Sequence, residues 1–126
     1  VKSGKVRYIG CSNYLAYQLA TAIGRSDVNG WARFASIQPR YNMLFRENER
    51  ELLPLCEQEN IAVIPYNPLA VAWQFTGSTI TSPIIGASKP EQLADAVAAL
   101  DTPLDAELTK RIDVLTREYR FGDSAR

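Results

Sequence analysis

The sequence predicts an α/β fold built on parallel strands, and three observations point there. Short β-rich runs alternate with segments of helical period, the run IAVIP at residues 61–65 is apolar throughout, and each strand candidate is followed by a polar or turn-forming cluster. Apolar runs of that length belong to strands covered on both faces, as in parallel sheets. Strands of this kind are joined by right-handed crossovers. An open doubly wound sheet and half of a (βα)8 barrel both satisfy the order, and composition does not choose between them.

The first strand candidate is VRYIGC, residues 6–11, bounded by Gly4 and by Ser12 with Asn13. Leu15, Leu19, Ala22 and Ile23 follow at helical spacing, and Gly24 reads as the stop of that helix. A polar connection with Asp27, Asn29 and Gly30 leads to a shorter strand, FASI at 34–37, ahead of Gln38 and Pro39. The next helix begins at Glu49 or Arg50 and ends at Glu59, with Leu52, Leu53, Leu55 and Cys56 on its buried side. Pro54 fits if the helix starts near Glu51, because a first-turn proline lacks only an N–H that has no helical partner. Asn60 suits the left-handed position that ends a helix.

After the strand at 61–65, Ala72, Trp73 and Phe75 suggest a helical fragment or an apolar turn. PIIG at 83–86 reads as a fourth strand. A helix from Pro90 to Leu100 carries Leu93, Ala96, Val97 and Leu100 on one face. Asp105 can cap a last helix bearing Leu108, Ile112 and Leu115, and residues 117–126 form a polar tail with two aromatics.

Composition excludes several chemistries. The 126 residues carry 14 Lys+Arg against 14 Asp+Glu, so the basic footprint of a nucleic-acid binder is missing. The absence of histidine removes Ser-His-Asp and Cys-His catalysis and every His-ligated metal site. Cys11 and Cys56 are too few for a thiolate zinc site and read as reduced thiols. There is no secretory leader and no unbroken apolar stretch of membrane-spanning length, so the expectation is a soluble, cytoplasmic chain.

Ligands of parallel α/β folds meet the loops at the carboxyl ends of the strands. Ser12 with Asn13, Gln38 with Arg40, Tyr41 and Asn42, Tyr66 with Asn67, and the run Gly86-Ala87-Ser88-Lys89 would share that rim. Caps and turns explain any one of these clusters; four on one rim argue for a binding face. Gly86 permits a close turn, Ser88 and Glu91 match a capping box, and Pro90 falls in the first turn of a helix. With Lys89, that helix start suits an anion such as phosphate. No P-loop and no G-x-G-x-x-G fingerprint occurs. Tyr66 offers a flat ring to a planar ligand, and Asn13 and Gln38 each offer the donor and acceptor that a carboxamide requires.

GKVRYIGCSN at 4–13, QPRYN at 38–42, ELLPLC at 51–56 with IPYNPLA at 64–70, and SPIIGASKPEQL at 82–93 stand in one order. Together they resemble the carboxy-terminal half of an aldo-keto reductase. The resemblance implies a partial (βα)8 TIM barrel, roughly its last four strands and their helices. Residues 1–126 would then be the carboxy-terminal half of one barrel domain, whose full size is about 250 residues. It also implies reduction of aldehydes or ketones, hence a small carbonyl substrate, with NADPH or NADP as cofactor and NADH as the alternative. Gln92 and Ala96 stand where many members have Arg and Asn, which bears on that choice.

By position, the resemblance assigns Ser12, Asn13 and Gln38 to the nicotinamide carboxamide and Tyr66 to stacking on the nicotinamide ring. Asn67, Pro68 and Leu69 would run beside the pyrophosphate, with Asn67 replacing the family's usual Ser. Gly86, Ser88, Gln92 and Asp95 would serve the adenosine and its 2′-phosphate, and Lys89 would add charge. The family's catalytic Tyr, Lys, Asp and His belong to the first half of the barrel, so no catalytic residue is assigned here. Members carry a long loop and most of a helix where Ala70 here meets Val71, so this join reads as a missing segment. Two other readings stay open: a nucleotide-sensing regulatory subunit on the same fold, like the β subunits of potassium channels, and an inactive truncated fragment. Neither nucleic acid nor membrane is implied as a partner, and the oligomeric state is left open.

Overall fold

The computed structural model describes residues 1–66 and 71–122. Three short strands, β1 (Gly10–Ser12), β2 (Ser36–Gln38) and β3 (Ala62–Val63), form a parallel sheet in chain order. Gly10 pairs with Ser36, Cys11 with Ile37, Ser12 with Gln38, and Ile37 in turn with Val63. Isolated bridges from Arg40 to Tyr66, Val63 to Ile80 and Tyr66 to Ile84 prolong the sheet past the strands. This order fits consecutive βαβ units and a segment of a parallel barrel wall.

Two strand expectations are corrected. Of residues 6–11 the strand retains only the end, because β1 is the edge of the sheet among the described residues and Val6 and Tyr8 lie exposed. The pairing fades at Ala35, whose N–H donates to the Ile9 carbonyl at 2.8 Å. The segment 83–86 forms no strand. Thr81 N donates to Val63 O at 2.9 Å and Ile84 N to Pro65 O at 2.7 Å, but Pro83 between them has no N–H to continue the ladder.

Burial alternates along the strands with period two, and it is one-sided. Ile37, Pro39, Ile61, Val63 and Pro65 are buried, whereas Ser36, Gln38, Ala62, Ile64 and Tyr66 are half-buried or exposed. The run at 61–65 is therefore covered on one face, not two. The covered face packs on α1 (Ala16–Asn29) and α2 (Leu52–Gln58) through Leu19, Ile23, Leu52, Leu53 and Cys56.

Gly24 does not stop α1. The helix continues to Gly30, which ends it at φ 61, in the left-handed region that glycine adopts without penalty. Burial of Leu19, Ile23 and Ser26 on one face outweighs the roughly 1 kcal/mol that an interior glycine costs. Helix α2 starts after Glu51, so Pro54 does fall in its first turn, and Asn60 follows its end at φ 54. A four-residue helix, α3 (Val71–Gln74), buries Trp73 and Gln74. Ala70 lies outside the described residues, and with it the join from Ala70 to Val71.

Helix α4 (Pro90–Ala98) starts where expected but ends two residues short of Leu100, and the apolar residues stay open: Leu93, Val97 and Leu100 are each about half exposed. In α5 (Ala106–Leu115) the Asp105 side chain accepts the Leu108 N–H at 2.7 Å, which is the anticipated cap. Ile112 reaches the core, while Leu115 faces outward. No helix among the described residues is long and apolar enough to cross a membrane.

A buried arginine joins the carboxy-terminal segment to the rest. Arg46 grips Glu49 with two nitrogens, at 2.6 and 3.0 Å, and its third reaches Thr116 Oγ1 at 2.6 Å and Asp113 Oδ1 at 2.9 Å. Its guanidinium also lies 4.9 Å from the centre of the Trp73 ring. Burial works against its charge, and Glu49 and Asp113 more than offset that, leaving the Arg46 pKa raised. Tyr41 donates to Glu49 Oε1 at 2.9 Å, Arg120 Nε approaches Glu49 Oε2 to 2.7 Å, and Gln74 Nε2 donates to the Tyr41 carbonyl at 2.6 Å. Two polar atoms on α3, Trp73 Nε1 and Gln74 Oε1, are buried without a hydrogen-bond partner among the described residues.

Breaking a buried ion pair from one side leaves the other charge uncompensated. Arg46→Ala is therefore expected to lower the unfolding free energy by about 3–5 kcal/mol, read from the urea midpoint. Cys56 gives a second expectation. Both cysteines are free, and burial, with Cys11 a lesser cause, pushes the Cys56 thiol up to about 11 from 9.0. The folded state thus holds the protonated thiol more tightly than the unfolded state does. That contribution is complete below pH 9 and is lost as the pH rises toward about 11, so a pH series of urea midpoints falls across that window. In Cys56→Ala this part of the fall is missing.

Candidate functional site

One-sided burial leaves an open face on the sheet, and its carboxyl end gathers the polar residues. Ser12 ends β1, Gln38 ends β2, Arg40 lies two residues beyond it, and Tyr66 follows β3 at the Arg40 bridge. Asn13 ties them together. Its Oδ1 accepts the Arg40 N–H at 3.3 Å and the Tyr66 hydroxyl at 3.2 Å, and its Nδ2 donates to Ser12 Oγ at 3.1 Å. Ser12 Oγ donates to the Gln38 carbonyl at 2.9 Å, which also accepts the Asn13 N–H at 3.2 Å.

Asn13 holds this position at φ 55, a left-handed conformation that asparagine tolerates better than most residues. The Arg40 N–H fixes which way its amide points, because an oxygen must face that donor. One Nδ2 hydrogen of Asn13 is left over among the described residues. The exposed side-chain amide of Gln38 makes no hydrogen bond among the described residues. The Tyr66 phenol is tethered at its oxygen, so its half-buried ring is held in place while the hydroxyl proton goes to Asn13.

The bridge from Tyr66 to Ile84 makes the next segment leave the sheet at the same end. Residues 86–92 therefore emerge beside Tyr66. Gly86 has no left-handed φ, and a Cβ there would meet nothing within 4 Å, so its turn does not require glycine. The anticipated capping box is also replaced. Lys89 is the residue before Pro90 in α4, and it is Gln92, not Glu91, that reaches back: its Oε1 accepts both the N–H of Ser88 at 2.9 Å and the Ser88 hydroxyl at 3.1 Å. Lys89 and Asp95 are exposed. Asn67, Pro68 and Leu69 lie outside the described residues.

A concavity among the described residues lies elsewhere. A cleft of about 490 Å³ between α3, the turn after α4 and α5 is lined by Ala72, Phe75, Leu100, Leu104 and Thr109 among others, and by none of the candidate cofactor-binding residues. The convergent donors and acceptors lie on the open face instead. Sequence reasoning grouped Arg40 with the rim but gave it no role; an exposed arginine in phase with Gln38 was the signal available. The Tyr41 phenol is held above its usual range by burial first and then by Glu49, so it is unsuited to proton transfer. Among the described residues no group of three or more His, Cys, Asp and Glu is placed to hold a metal.

Comparison with known proteins agrees with this parallel α/β wall. A model of the Aldo/keto reductase family matches residues 1–75, and the chain belongs to that family. A Schizosaccharomyces pombe protein that carries an aryl-alcohol dehydrogenase name is 44% identical over 70 residues, which are 56% of this chain and 20% of that protein. Versiconal hemiacetal acetate reductase of Aspergillus parasiticus is 41% identical over 70 residues, again 56% of this chain and 20% of the relative. An aldo-keto reductase of Alternaria alternata, AMT2, is 40% identical over 70 residues, 56% of this chain and 19% of the relative. The matched part thus spans about a fifth of these relatives. The family fold is a (βα)8 barrel, and three parallel strands with five helices are consistent with part of one.

Asn13→Ala should separate the strain at the rim from its hydrogen bonds. It removes three side-chain bonds and places alanine at φ 55, for an expected loss of about 2 kcal/mol in a chemical melt. Asn13→Gly relieves the strain and is expected to recover roughly half of that.

Proposed function

We propose that this chain supplies the nicotinamide-nucleotide half of a reductase that converts aldehydes or ketones to alcohols, with NADPH as the preferred cofactor. The observation that carries the reading is the Ser12–Asn13–Gln38–Tyr66 arrangement on one open face. A nicotinamide needs a flat surface for its ring and a matched donor and acceptor for its carboxamide. The tethered ring of Tyr66 offers the first. The remaining Asn13 N–H and the free Gln38 amide offer the second. When bound, the cofactor supplies hydride; the residues of this chain hold its ring by one face and so fix which face reacts.

Residues 86–92, with the α4 N-terminus, Ser88 and Lys89, suit the phosphate-bearing end of the nucleotide. Gln92 and Asp95 lie on the same helix as neighbours one turn apart. Lys89 favours the extra phosphate of NADPH over NADH. Asn67, Pro68 and Leu69 belong to this reading as the chain between the two ends.

The proton donor of the reduction would come from residues not in this chain. The Tyr66 hydroxyl is bonded to Asn13, and Tyr41 is buried and held in its protonated form. With NADPH and a reactive aldehyde, the 126-residue chain alone is expected to show no steady-state turnover; sustained oxidation would overturn that.

Calorimetric titration tests the binding itself. NADP is expected to bind, more tightly than NAD, and Tyr66→Ala and Gln38→Ala each to weaken it by about tenfold. Absence of NADP binding up to millimolar concentration would refute the cofactor assignment.

A further inference from the structure

Among Ser12, Asn13, Ser36, Gln38, Arg40, Ile64 and Tyr66, which lie along the open face and its rim, Arg40 alone carries a formal charge. Ile37, Pro39 and Tyr41 alternate into the buried layer, which leaves Ser36, Gln38 and Arg40 on the open side. The bridge from Arg40 to Tyr66 places the two residues side by side in a parallel pair, and paired residues project to the same face. Around Arg40 the face offers neutral groups: Ser12, Asn13, Gln38, Ile64 and Tyr66.

The backbone of Arg40 is fixed on both sides. Its N–H is held by Asn13 Oδ1 at 3.3 Å and its carbonyl accepts Asn48 Nδ2 at 2.7 Å. The guanidinium lies 4.8 Å from the centre of the Phe45 ring, a contact that steadies the group without neutralising it. The ion pairs among the described residues are made by Arg33, Arg46 and Arg120, and none by Arg40. Here, then, is a positioned, exposed cation with its donor fork free, next to the ring and amides of the rim. A planar guanidinium of this kind matches a carboxylate or phosphate with two parallel hydrogen bonds.

We propose that Arg40 reads an anionic group, carboxylate or phosphate, on the molecule lying across Tyr66, and is a specificity-determining residue of this face. The proposal rests on the reading of Tyr66 as a ring platform. Two sources share the chemistry: the phosphate next to the nicotinamide of the cofactor, or a carboxylate on an acidic carbonyl substrate.

Two ligand pairs separate them by calorimetry at low salt. Nicotinamide mononucleotide against nicotinamide riboside differs by the phosphate, and phenylglyoxylate against its methyl ester differs by the carboxylate. The wild-type chain is expected to prefer the anion about tenfold in one pair, and that pair identifies the source. In Arg40→Gln the preference should fall below about twofold, while Arg40→Lys retains part of it. A preference that survives in Arg40→Gln, or no preference in either pair for the wild type, would overturn the proposal. If the wild type binds neither nicotinamide ligand, the cofactor reading fails, and Arg40 is judged on the phenylglyoxylate pair alone. Should Arg40→Gln not fold, titration of the wild type in about 1 M salt decides, because a preference for an exposed cation must weaken under that screening.

Discussion

The grip of Arg46 on Glu49, Asp113 and Thr116 is the contact on which the rest of the structure depends. The sheet, α1 and α2 share an apolar core, but α5 and the segments on either side of it contribute little to that core beyond Leu104 and Ile112. What attaches them is polar and buried. A guanidinium can serve here because its planar fork satisfies a carboxylate while its face rests on Trp73, so one side chain replaces many apolar contacts. The arrangement depends on every member being present, since each charge is taken from water only because another stands beside it.

The second constraint is geometric. Period-two burial sends alternate side chains of each strand to opposite faces, and the helices of this chain cover one face alone. Among the described residues the other carries no helix, and its side chains are half-buried or exposed. Parallel pairing then makes the polar chain ends coincide at one rim. Gly10 lies on this open side, where a Cβ would come within 2.6 Å of Ser36 Oγ; its absence lets β1 and β2 approach at that point.

Where the deciding physics is local, the sequence was sufficient to read it. Asp105 caps α5, Pro54 sits in a first turn, and Asn60 takes a left-handed conformation because each answers to its immediate neighbours. Ser12, Asn13, Gln38 and Tyr66 were legible as rim residues, since strand ends and parallel order place them there. Readings that needed tertiary context did less well. Gly24 looks like a helix stop until the burial of Ile23 and Ser26 carries α1 past it. The apolar faces of the 61–65 run and of α4 announce partners, but not whether this chain contains them. The choice of Gln92 over Glu91 at Ser88 turns on rotamers that spacing does not reveal.

The Arg46 contact has an optical consequence. The chain has two tryptophans in opposite surroundings: Trp31 is 59% exposed, and Trp73 is 3% exposed, 5.5 Å from the ring of Tyr41 and beneath a cation. Emission from Trp31 is that of an indole in water whatever the fold does. Emission from Trp73 is blue-shifted and sensitive to the overlying charge only while α3 and the carboxy-terminal segment are seated. The molecule thus contains a reference chromophore and a reporter, and their ratio follows the burial of Trp73 in the core beneath Arg46.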